Sequence, residues 1–195
     1  MLPQRKNPVV AAPVAVPAPE YSAEERRLLL HLAHDAIRGA LHGDVPDPAP
    51  PSPHLAEARG AFTTLHISEA LRGCVGFVQP LRPLYRTVVE TAVAAAFNDP
   101  RFDPVSEEDV ELLKIEISVL SPLRPITPAE IEVGRHGLVV TQRFQRGLLL
   151  PQVAAEHDWD RETFLAKTCL KAGIAPDAWR HGATLEAFTA EVFGD

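Results

Sequence analysis

Ala61-Phe62-Thr63-Thr64-Leu65-His66-Ile67-Ser68-Glu69-Ala70-Leu71-Arg72-Gly73-Cys74-Val75-Gly76-Phe77-Val78 is the stretch on which the fold turns. Residues 62–67 are rich in aromatic and β-branched side chains, which fit the pleated surface of a strand. Ser68-Glu69-Ala70 turns the chain and Leu71 to Val78 returns, so the segment is predicted to be an antiparallel hairpin. The returning strand carries two glycines, Gly73 and Gly76, within four residues. Glycine weakens a strand interior, and its usual reasons there are a bulge or the close approach of a ligand to the backbone. Between them lies the Cys74 thiol, two residues after Arg72. Strand alternation puts positions 72 and 74 on one face, where a guanidinium lowers a thiol pKa. The competing reading of Cys74 is a small buried hydrophobe.

Outward from the hairpin, helices and strands are interspersed. Ser22 to His42 has a capping-box start, Ser22 with Glu25, followed by Leu29, Leu32, Ala33, Ala36, Ile37, Ala40 and Leu41 at helical spacing. Pro83 to Asn98 is amphipathic, with Leu84, Val88, Val89, Ala92, Val93 and Ala96 on one side and Pro83 near its start. A short helix is expected after Ser106. Ile115, Ile117 and Val119 alternate with polar neighbours over 114–120, the pattern of a half-buried antiparallel strand. A second hairpin is expected from 138–142 and 148–150 around Arg143–Gly147. Helices follow at about 151–158 and 161–172, then a final strand at 184–192. No βαβ rhythm is present, so the expected class is α+β with an antiparallel sheet core and flanking helices.

Composition narrows the function classes. The 195 residues suit one domain, or one domain with a small appended subdomain, and the formal charge of -7 argues against nucleic-acid binding. No segment approaches the roughly 18 uncharged apolar residues of a membrane span. Five of 19 prolines fall in residues 1–20 and five in 46–53. The first group breaks any signal-peptide helix and predicts a disordered leader over 1–20, leaving a domain at 21–195 with a Pro-rich loop at 44–53. Two cysteines are too few for a disulfide framework and fit a reducing, cytoplasmic compartment.

Two further segments can carry chemistry. Gly134-Arg135-His136-Gly137 holds an imidazole between glycines, suited to a general base or to a tight turn in which the histidine bonds its own loop. Asp99-Pro100-Arg101-Phe102-Asp103 offers Arg101 to an anion, or to an ion pair with Asp99 or Asp103. His31, His34 and Asp35 lack the further ligands of a metal site, so no metal is expected. Cys169 reads as a core thiol. Glu107-Glu108-Asp109 after Ser106 reads as helix capping. No phosphate loop, dinucleotide fingerprint, nucleophile elbow or radical-SAM cysteine cluster occurs, and no cofactor is expected.

Leu71-Arg72-Gly73-Cys74-Val75-Gly76 resembles the Leu-Arg-Gly-Cys-Ile-Gly signature of the AMMECR domain family, called AmmeMemoRadiSam system protein A in prokaryotes. Asn98 to Phe102, Ile117 to Pro122, Gly134 to Leu138, Leu150 to Ala154 with Trp159, and Lys171-Ala172-Gly173 are similar to its other segments, in order. The resemblance spans about residues 24–193. It implies an α+β fold with a large and a small subdomain and no assigned reaction. It also implies a Memo-like metal-dependent protein and a radical-SAM enzyme as partners. Its signature and histidine turn imply a cleft, nominating Arg72, Gly73, Gly76 and Arg101 as ligand-binding and Cys74 and His136 as catalytic residues. Phe77 departs from the threonine common there.

Two functions follow as expectations. One is a non-catalytic component binding a small molecule or modified peptide in a cleft lined by Arg72–Gly76 and His136. The alternative is an enzyme with Cys74 as nucleophile and His136 as acid or base.

Overall fold

The computed structural model describes residues 19–195, so the leader expected over 1–20 lies outside the described residues except for Pro19 and Glu20. In chain order the elements are α1 (Ala23–Leu41), β1 (Ala61–Ile67), β2 (Ala70–Phe77), α2 (Leu84–Phe97), α3 (Glu107–Val110), β3 (Lys114–Leu120) and β4 (Arg124–Pro125). There follow β5 (Gly137–Gln142), β6 (Gln145–Leu149), α4 (Pro151–Glu156), α5 (Arg161–Lys171), β7 (Thr184–Phe188) and β8 (Ala190–Gly194). The class is α+β, as expected from the sequence.

Local chemistry sets these boundaries. The Ser22 hydroxyl accepts the Glu25 N–H at 3.2 Å while the Glu25 carboxylate accepts the Ser22 N–H at 2.9 Å, satisfying donors that a helix start leaves bare. Leu29, Ala33, Ala36 and Ile37 then form the buried stripe of α1, and Leu29, Ala33 and Ile37 join residues of α2 in the first core. Ser68 and Glu69 both take positive φ, 46° and 66°, giving the two-residue turn whose twist matches a hairpin.

The strands form two four-stranded antiparallel sheets, ordered β2-β1-β3-β8 and β4-β7-β5-β6. The first is backed by α1 and α2, where Thr63 on β1 and Thr91 on α2 share a buried hydroxyl contact of 2.8 Å. The second packs around Leu138, Val140, Phe164, Leu165 and Cys169. A third apolar cluster joins the sheets through Leu120, Val139 and Phe188, with Phe62, Val78 and Leu148 against it.

Two expectations are corrected. The single strand over 184–192 is two strands in different sheets. The break falls at Thr189, whose carbonyl accepts the Ser121 N–H at 2.9 Å and whose N–H donates to Ser121 Oγ at 3.0 Å. This pair is the hinge at which the chain crosses between sheets. The loop expected over Arg143–Gly147 shrinks to Arg143-Phe144, because Gln142 pairs with Gln145 and Val140 with Gly147. Gly147 is a strand glycine pressed against α5, where a Cβ would lie 2.2 Å from the Ala172 nitrogen. Among the described residues no helix is long and apolar enough to cross a membrane.

Candidate functional site

β2 is an edge strand, and its exposed edge is held by side chains. Asp99, just beyond α2, accepts the Cys74 N–H on Oδ2 at 2.9 Å. The same carboxylate takes Arg101 in a two-pronged pair, Nε to Oδ1 at 2.9 Å and Nη2 to Oδ2 at 2.7 Å. Arg101 Nη2 also donates to the Cys74 carbonyl at 3.4 Å. The pair thus occupies the place of a neighbouring strand, satisfying groups that an edge leaves open. The Arg101 guanidinium, with the Cys74 and Arg101 backbone N–H groups, holds the Asp99 carboxyl well below the usual carboxylate range. The Cys74 side chain is partly exposed, and Thr64 Oγ1 donates to its sulfur at 3.3 Å.

Arg72 behaves differently from the strand alternation that paired it with Cys74. Leu65 pairs with Gly73 and His66 with Leu71, leaving Arg72 as the unpaired residue of a bulge. Its guanidinium donates to the carbonyls of Asp103 (2.6 Å) and Pro104 (3.2 Å) and to Asp109 (2.9 Å). It latches β2 to α3 and to the segment before it.

Both signature glycines have a reason inside the fold. A Cβ on Gly73 would sit 2.1 Å from the Ala95 carbonyl oxygen of α2, and one on Gly76 would sit 2.2 Å from the Phe62 ring. Neighbouring protein atoms, rather than a ligand, make the close approach at these two positions.

His136 sits elsewhere. It is 3% exposed at the start of β5. Its Nδ1 accepts the Glu132 N–H at 3.1 Å and its own N–H donates to the Glu132 carbonyl at 3.0 Å, closing a turn in which Gly134 has φ of 83°. Accepting a bond on Nδ1 leaves the proton of a neutral ring on Nε2. The Arg124 Nη2 contact at 3.3 Å to Nε2 then sets two donors face to face. A single lone pair cannot serve both neighbours. Burial first, and the Arg124 charge second, lower the His136 pKa. Cys74 contacts Thr64, Asp99 and Arg101, whereas His136 contacts Glu132 and Arg124; the two environments share no residue.

A cavity of about 470 Å³ opens where the sheets meet, lined by Gly76–Gln79 after the signature, Leu81 and Arg82, Thr87 and Glu90 of α2, and Arg146–Leu148 of β6. Phe77 and Leu81, 45% and 79% exposed, give it apolar walls. A second, open hollow of about 440 Å³ is lined by Arg72 and Pro100–Asp103, but both its arginines already hold carboxylates. His136 lines neither.

A family model, AMMECR1, matches residues 30–193. The chain belongs to the AMMECR1 family. AMMECR1-family relatives include a Methanopyrus kandleri protein, 43% identical over 87% of this chain and 88% of its own. A Thermococcus gammatolerans protein is 44% identical over 85% and 87%. The fold is similar to the crystal structure of uncharacterised protein PH0010 from Pyrococcus horikoshii, with a TM-score of 0.77 and 41% identity over 86% of this chain and 90% of that one.

The sequence singled out Cys74, Arg72 and Arg101, and these gather around one strand edge. Asp99, which organises that edge, reads in the sequence only as a possible ion-pair partner of Arg101. Its signal was the carboxylate two residues before an arginine at a helix end, a spacing that permits the two-pronged pair. The residues of β6 carried no signal at all.

Proposed function

We propose that this AMMECR1-family protein is a non-catalytic binding component whose ligand, a small molecule or a modified peptide, sits in the cavity between the sheets. The observation that carries this reading is the cavity's position and size. It opens directly off the end of the signature strand and falls in the size class of ligand sites. Its walls are apolar, with Gln79, Arg82, Glu90 and Arg146 as the polar groups that fix orientation. The family resemblance adds a Memo-like protein and a radical-SAM enzyme as partners, to which the ligand is presented. The compartment is the cytoplasm, a reading supported by the two unbridged cysteines.

The test is co-purification with those partners together with mass spectrometry of the natively purified protein. Retained ligand that is lost in Leu81→Asp supports the reading. Absence of both ligand and partners refutes it.

A second reading, Cys74 as nucleophile, draws on the partly exposed thiol beside Thr64 and Arg101. His136 has less support as its acid or base, because Nδ1 is committed to the Glu132 N–H. A Cys74→Ser variant that abolished turnover of an identified ligand would favour it.

A further inference from the structure

We infer that the cavity takes an extended peptide bearing a free carboxylate, which adds as a new strand along the open end of β2; this rests on the binding reading above and names its ligand. The argument starts from the backbone. The Cys74 N–H and C=O are bonded to Asp99 and Arg101 rather than to β1, so at this position both groups point away from β1. Gly76, two residues further on and paired with Phe62 as Cys74 is with Thr64, repeats that orientation. Outside its own sheet, Gly76 has no backbone hydrogen bond to any described residue. The edge is therefore capped at Cys74 and open at Gly76, where it borders the cavity.

The far wall is β6, itself the edge of the second sheet. A gap bordered by two sheet edges suits one extended segment, whose main chain bonds the edge while alternate side chains enter apolar pockets. Phe77, Val78, Leu81 and Leu148 supply those pockets. Charge selects the end group. The lining holds Arg82 and Arg146 against one carboxylate, Glu90, on a chain whose formal charge is -7. Arg82 is bonded to Glu90. Arg146 lies only 3.6 Å from Glu186, a loose surface pair that is weak enough to yield to a ligand carboxylate.

The experiment uses the full-length ¹⁵N-labelled protein. Three probes are titrated: a pool of synthetic pentapeptides with alternating apolar residues and a free C-terminal carboxylate, the same pool N-methylated along its backbone, and octanoate. Binding of the first pool should shift the Gly76, Phe77 and Gly147 amides and slow hydrogen exchange at Gly76. N-methylation and Arg146→Glu should each weaken binding about tenfold, the order of one or two lost hydrogen bonds. Equal binding by the N-methylated pool overturns strand addition. Octanoate shifting these amides while neither peptide pool does so overturns the peptide but leaves the cavity reading standing. If no probe shifts them, both fall. Retained amide dispersion in Arg146→Glu shows that any loss is not unfolding.

Discussion

The Asp99 carboxylate holds the Cys74 N–H at 2.9 Å across 25 positions of sequence. That bond ties the helix-end segment to the edge of β2. Asp99 is 5% exposed, so removing its carboxylate strands a backbone donor and releases Arg101. Asp99→Ala should cost about 2–3 kcal/mol in chemical denaturation, the scale of lost charge-assisted hydrogen bonds.

The same carboxylate predicts a pH dependence. Its folded-state pKa lies below the ordinary value of 3.8, so the unfolded chain takes up the proton first as pH falls. Its contribution to stability is complete above about pH 5 and is lost as pH falls through the folded-state pKa. The stability gap between wild type and Asp99→Asn should be largest near neutrality and narrow steadily below pH 4.

The hairpin, the capped helices and the α+β class were legible because each follows from local periodicity and capping chemistry. The crossing of the chain between sheets at Thr189 was not, since 184–192 reads as one strand until Ser121, 68 positions earlier, supplies its backbone partner. The site divided the same way. Cys74, Arg101 and Arg72 announced themselves by residue type. The bulge that turns Arg72 away and the separation of His136 from Cys74 depend on register and sheet order, which periodicity does not encode.

The signature glycines should prove sensitive for packing reasons alone. Gly73→Ala forces a Cβ against the backbone of α2 and should destabilise by about 1–3 kcal/mol with no side-chain remedy. Gly76→Ala meets the Phe62 ring at 2.2 Å and, less closely, the Ala61 carbonyl oxygen at 2.7 Å. Adding Phe62→Leu should recover part of its lost melting temperature, read by a double-mutant cycle.

His136→Gln should destabilise by about 1–2 kcal/mol through the loss of its turn bond. Burial holds the His136 pKa below the ordinary 6.5, so its stabilising contribution is present above that value and declines as pH falls through the folded-state pKa. Denaturation curves between pH 7.5 and 5 should show that decline in wild type and a shallower one in the variant. The rate of Cys74 alkylation should be unchanged, since the two environments are separate.

The two thiols should separate cleanly. Cys169 is fully buried and its pKa is pushed up by burial, whereas Cys74 is partly exposed. Iodoacetamide should add one label per native chain, at Cys74, and a second only after denaturation, as read by peptide mass spectrometry.

Native mass spectrometry of ligand retained by wild type, Cys74→Ser and Leu81→Asp tests the binding account most directly. A non-covalent adduct present in wild type and Cys74→Ser but absent from Leu81→Asp is the predicted result. An adduct covalently attached to Cys74, unaffected by Leu81→Asp and abolished by Cys74→Ser, would contradict it.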